Sequence, residues 1–138
     1  MYRDIMVPVD LAHEAKLAHA LDVAADLARH WGARITYVGV TSPVPGVLGH
    51  NPGEFARKLT DFAAAQGARL DVETRAHPAI AHDPATEVDD ALLRAIDETG
   101  ADLVVMQSHI PGLVDYVWPS NGGKIAGHAK ASVMVVRG

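Results

Sequence analysis

Along this chain, short runs of consecutive apolar residues alternate with stretches where apolar positions recur every three or four residues. The first pattern is that of a strand covered on both faces, the second that of a helix with one buried stripe. Ile5 to Asp10 reads as the first strand. Leu17, Leu21, Ala24, Ala25 and Ala28 form a helical stripe that Gly32 ends. Ile35 to Val40 is the second strand. Thr41 to Gly53, dense in proline and glycine, is a long loop of the kind that serves as a lid or a binding loop. Phe55, Leu59, Phe62 and Ala63 mark a second helix ending at Gly67. Leu70, Val72 and Thr74 then alternate with Asp71, Glu73 and Arg75, which predicts a third strand with one wet face at a sheet edge. Asp83-Pro84 supplies the N-cap and first residue of a third helix, and Val88, Ala91, Leu92, Ala95 and Ile96 carry its stripe to Gly100. Asp102 to Met106 and Ser132 to Arg137 are the fourth and fifth strands, with a short helix around Lys124 to Ala129 between them.

This alternation predicts an α/β fold: an open, doubly wound, five-stranded parallel sheet. Parallel strands need right-handed crossovers, and that connectivity favours the order 3-2-1-4-5. Strands one and four are then neighbours where the winding reverses, and ligands of such sheets bind outside the carboxyl ends of the strands at that switch. Asp10 and the segment Gln107 to Ile110 both fall there.

The length of 138 residues fits a single domain over 1–138, without repeat or linker. Hydrophobic residues make up 49% and charged residues 21%, a soluble globular composition. No apolar run approaches the ~18 residues of a membrane span, and the first residues lack the apolar core of a signal peptide. With no cysteine, disulfides, thiolate metal sites and cysteine nucleophiles are excluded. A cytoplasmic location is the simplest reading. The formal charge of −5 offers no basic footprint for nucleic acid, yet leaves a small anion possible, because backbone N–H groups at a helix start bind phosphate locally.

Two places offer candidate chemistry. Asp10 stands at a strand end, where it either faces a ligand or caps the following helix. Ser120-Asn121-Gly122-Gly123-Lys124 opens a helix whose free N–H groups and dipole favour an anion. Ser120 or Asn121 serves equally well there as a plain helix cap. The segment is not a Walker A loop, since Trp118 stands where its first glycine would be. The eight histidines show no close i, i+4 pair of the zinc-helix kind, so no metal site is expected. Tyr116 and Trp118 are expected to pack rather than stack on a ligand. No Ser-His-Asp or paired-carboxylate spacing is recoverable, so no catalytic residue is named.

Val7-Pro8-Val9-Asp10, the helix end Ala25 to Ala33, Val38-Gly39-Val40, Pro84-Ala85, Gly100 to Met106, Ser108-His109 and His128-Ala129 resemble, in order and spacing, the universal stress protein family over nearly the whole chain. The resemblance implies an adenine nucleotide alpha hydrolase-like fold with flavodoxin-like layering. It also implies a stress-response protein binding ATP or a related adenine nucleotide, with magnesium left open. The implied site takes Pro8, Val9, Asp10 and Val40 from the first two strands. It takes Met106, Gln107, Ser108, His109 and Ile110 after the fourth, and Ser120, Asn121 and Gly122 further on. Members that bind ATP carry glycines where Gln107 and Ile110 stand. Here Ser108-His109-Ile110-Pro111 with Ser120-Asn121 resembles a branch with Ser-His-x-Pro and Ser-Asn. Glycine lets phosphate approach backbone N–H groups without a Cβ in the way, so Gln107 and Ile110 crowd that approach.

Two readings follow. In one the chain is a nucleotide-binding regulator, with at most weak ATPase or self-phosphorylation, since no general base can be named. In the other it is a nucleotide-free dimeric interaction module with a degenerate pocket. A third, enzymatic action on a small phosphorylated ligand, has less behind it. The apolar run Val133 to Val136 would be an aggregation hazard at an open edge. The family resemblance implies a homodimer formed through the C-terminal strand 132–137.

Overall fold

The computed structural model describes residues 1–42, 52–82, 84–108, 125–127 and 129–138. Strands β1 (Asp4–Pro8), β2 (Arg34–Thr41), β3 (Thr74–Ile80), β4 (Leu103–Gln107) and β5 (Ser132–Val136) form one sheet in the order β3-β2-β1-β4-β5. Every neighbouring pair is parallel. Helices α1 (Ala18–Trp31), α2 (Pro52–Leu70) and α3 (Pro84–Thr99) make the crossovers, and residues 125–127 form a helical turn before β5.

The period-2 geometry of the strands sorts their side chains into two cores. Ile5, Val7, Val9, Ile35, Tyr37, Leu103 and Val105 pack with the stripes of α1 and α2. Met6, Val38, Val104, Met106 and Ile125 pack on the other face with Val88, Leu92, Ala95 and Ile96 of α3. β1 is therefore buried on both faces, as its unbroken apolar run predicts.

Three local expectations shift. A 3-10 segment, Leu11–Leu17, precedes α1, so the first crossover is not helical in one piece. Pro52 and Gly53, expected in the loop after β2, belong to the first turn of α2, where proline is well tolerated. The remainder of that loop, 43–51, and the Asp83 cap lie outside the described residues.

The largest shift concerns Gly67, which does not end α2. The helix runs on to Leu70, Asp71 turns the chain with φ 55°, and β3 begins only at Thr74. Gly67 serves close approach instead: a Cβ there would lie 2.6 Å from Thr74 Oγ1, which donates to Ala63 O at 2.7 Å. The predicted edge position of the third strand holds, and half-buried and exposed residues alternate over 70–75 as expected, although the strand itself spans Thr74–Ile80.

Two positions in β2 carry opposite stability consequences. A Cβ on Gly39 would meet the Phe55 ring at 2.8 Å, so this glycine lets α2 close on the sheet. Tyr37 is fully buried edge-on to Phe62, and among the described residues its hydroxyl has no hydrogen-bond partner. Burial pushes its pKa up to about 12 from 10.0, although the Arg69 charge pulls it back. Only the unfolded phenol ionises between those values, so stability is lost as pH rises from 10.0 to about 12. In urea melts at neutral pH, Gly39→Ala should lose about 1–3 kcal/mol through overpacking. Tyr37→Phe should gain about 1 kcal/mol by removing an unsatisfied buried group.

Candidate functional site

β1 and β4 lie side by side and run the same way, with Ile5 opposite Leu103 and Met6 opposite Val104. Their carboxyl ends, and the residues that follow each, therefore open at one end of the sheet. Pro8, Val9 and Asp10 reach this mouth from β1, and Met106, Gln107 and Ser108 reach it from β4. Val40 sits near the end of β2, on the other side of β1. His109, Ile110, Ser120, Asn121 and Gly122 lie outside the described residues.

Met106 is buried in the core against α3, and Val9 is buried beneath α1 and α2. Of these positions Val9 and Ser108 also commit backbone donors: Val9 N donates to Val38 O at 2.8 Å, and Ser108 N donates to Val136 O at 2.7 Å.

Asp10 is 7% exposed, and both of its oxygens are engaged. Oδ1 accepts from Ala12 N at 3.0 Å, which makes Asp10 the N-cap of the 3-10 segment. Oδ2 lies 2.9 Å from Nδ1 of His13, whose side chain is 43% exposed. His13 has φ −134° and ψ 44°, outside helical values, and its N–H donates to Asp10 O at 2.9 Å. The kink folds the imidazole back over the carboxylate. Helix capping, one of the two roles open to Asp10 from sequence, is thus realised. The histidine pairing is an addition that the bare i, i+3 spacing did not announce.

Gln107 is also committed at both ends of its amide. Oε1 accepts from Ala20 N at 3.1 Å and Nε2 donates to Val136 O at 3.2 Å. α1 begins after Leu17, which supplies no side-chain cap, so Ala20 N–H is one of the donors a helix start leaves unpaired. A residue more than eighty positions away in sequence fills that role. Sequence reasoning treated Gln107 as an intrusion where a glycine was expected and missed this bond, because it depends on α1 and β4 meeting in space. His19 Nδ1 adds a bond of 3.0 Å to Arg137 O, a second tie between the start of α1 and the end of β5.

Among the described residues, no group of three or more His, Asp or Glu side chains is placed to hold a metal ion, and no helix is long and apolar enough to cross a membrane.

A doubly wound parallel sheet in the order 3-2-1-4-5, with flanking helices, defines a protein of the adenine nucleotide alpha hydrolase-like fold. The model of the universal stress protein family matches residues 1–137, and the chain belongs to that family. Among solved structures, a universal stress protein family member from Burkholderia pseudomallei is 27% identical, with TM-score 0.70 over 98% of this chain and 96% of that one. The Archaeoglobus fulgidus universal stress protein, in complex with dAMP, is 21% identical, with TM-score 0.64 over 97% of each chain. An Arabidopsis thaliana family protein with AMP bound is 15% identical, with TM-score 0.64 over 98% of this chain and 91% of that one. The last two likenesses are of fold.

The Gln107 bridge has a measurable consequence. Gln107→Met keeps the length but removes both polar ends, leaving Ala20 N–H unpaired. A loss of about 1–2 kcal/mol is expected in chemical denaturation.

Proposed function

We propose that this chain is a cytoplasmic, single-domain regulatory protein of the stress response that binds ATP or a related adenine nucleotide at the mouth between β1 and β4. The observation that carries this reading is the buried Asp10 at the switch point, where folds of this topology take their ligands. The nucleotide complexes of the Archaeoglobus and Arabidopsis proteins support an adenine ligand for the same scaffold. The proposed contacts are Pro8, Val9, Asp10 and Val40 on one rim. Met106, Gln107, Ser108, His109, Ile110, Ser120, Asn121 and Gly122 make up the other.

A ligand held only by the folded state raises stability by RT ln(1 + [L]/Kd), about 2.7 kcal/mol at a hundredfold excess over Kd. Purified protein should release adenine nucleotide into an acid extract, and ATP should raise Tm by several degrees. Asp10→Ala should reduce that rise. A protein free of nucleotide and indifferent to ATP would refute the binding role.

A second reading, a nucleotide-free dimeric interaction module, draws on Gln107, whose amide already takes the Ala20 N–H and Val136 O. Both readings include a homodimer through 132–137, and the two sheet edges differ in the way this requires. β3 carries Pro78 and the exposed Arg75, features that block strand addition. β5 carries neither proline nor charge, and Met134 and Val135 are 39% and 40% exposed. Sedimentation should give a dimer at micromolar concentration, and Val135→Lys should yield a folded monomer. A monomeric wild type removes the dimer from both readings.

A further inference from the structure

The backbone of β5 limits how a second copy can meet its outer edge. Ser132 N donates to Asp102 O and Ser108 N donates to Val136 O, so the even-numbered residues of β5 turn their peptide groups toward β4. Those of Val133 and Val135 therefore point outward. Lys130 and Ala131 lie in bends before the strand, and Arg137 O already accepts from Nδ1 of His19. A two-fold antiparallel pairing centred on Met134 matches Val133 with the partner's Val135 and draws on neither the bends nor that carbonyl. Centring on Val133 would recruit Ala131, and centring on Val135 would recruit Arg137 O.

The register about Met134 also sets Arg137 of one copy opposite Ala131 of the other. Side-chain alternation places Arg137 with Val133 on the α3 face, and Ala131 lines a hollow of about 320 Å³ between the end of α3 and the start of β5. No basic residue in the last turn of α3 offsets the negative end of its dipole. Asp97 lines the same hollow, and among the described residues neither its carboxylate nor the Arg137 side chain has a hydrogen bond or ion pair. Lys130 is the one cation lining it, against Asp97, Asp102 and the end of α3, so the hollow keeps a negative balance.

We propose that β5 pairs antiparallel with its copy about Met134, and that the guanidinium of the partner's Arg137 fills the hollow at the end of α3 and pairs with Asp97. This rests on the homodimer reading above and names the register and the contact that fix it. The two-fold axis makes the contact twice in each dimer. Arginine suits the place, because its planar fork serves a carboxylate and the free carbonyls of a helix end together. Met134 meets the partner's Met134 on the α1 face, and Val135 meets the partner's Val133 on the α3 face, which covers the two exposed apolar side chains of the edge.

Two measurements on the full chain test this. The chain has no cysteine, so a single introduced thiol reports on its own copy. Met134→Cys should form a disulfide-linked dimer on mild oxidation, since residues opposite each other across an antiparallel pair lie about 4.5–5.5 Å apart, within disulfide reach. Val135→Cys should not, because its own copy is then offset by two residues, beyond about 7 Å. In sedimentation equilibrium, Arg137→Glu and Asp97→Lys should each weaken the dimer about tenfold, and the double exchange should return it to within about threefold of wild type. Asp97→Lys places a cation at the end of α3, which favours that helix, so misfolding would not account for its weaker dimer. Single variants as tightly dimeric as wild type, a double exchange without recovery, or faster cross-linking of Val135→Cys than of Met134→Cys overturns the proposal and leaves the dimer standing. Wild-type protein that sediments as a monomer removes the dimer reading and this contact with it.

Discussion

The parallel pairing of β1 with β4 is the contact on which the rest of the architecture depends. The two strands lie almost a hundred residues apart in the chain, and a parallel ladder has no hairpin to bring them together. At the base of the pair, the Asp102 carboxylate takes the N–H groups of Arg3 and Asp4, at 3.0 Å in the shorter contact to each, and Asp102 N donates to Asp4 O at 2.9 Å. Both strands are buried from either side by the two helix layers. A few residues beyond that clamp, the same pair opens at the mouth where Asp10 and Gln107 stand.

The polar groups at the mouth are tied back to the scaffold. Asp10 closes the first turn after β1 and Gln107 caps α1 while holding the end of β5. Each of these side chains satisfies backbone groups that a helix start or strand end leaves open. The same bonds that stabilise the local chain therefore orient the groups a ligand would meet. Gln107 further links the mouth to β5, so the candidate site and the exposed edge of the sheet share one hydrogen-bonded unit.

Much of the scaffold was legible in the residues. Leu17, Leu21, Ala24, Ala25 and Ala28 are all buried, as are Phe55, Leu59, Phe62 and Ala63, because a periodic apolar stripe has only one way to leave water on an amphipathic helix. Gly32, with φ 65°, ends α1 where expected. The third strand was placed too early because Gly67 has two physical uses that look alike in sequence. Glycine can end a helix in the left-handed region, or it can sit inside one where another side chain needs the room, and only the position of Thr74 shows that the second applies.

By itself, the sequence determined the alternation of strands and helices, the helix stripes and the sheet order, because hydrophobic period and crossover handedness are properties of local chain and connectivity. It also brought Asp10 and Gln107 to one end of the sheet. What these side chains do there was decided by the tertiary structure alone. The Asp10–His13 contact needs a kink that the spacing does not specify, and the Gln107–Ala20 bond joins α1 to β4 only once both have packed on the sheet. Hydrogen bonds between distant segments depend on the relative placement of packed elements, and no periodicity along one chain encodes that placement.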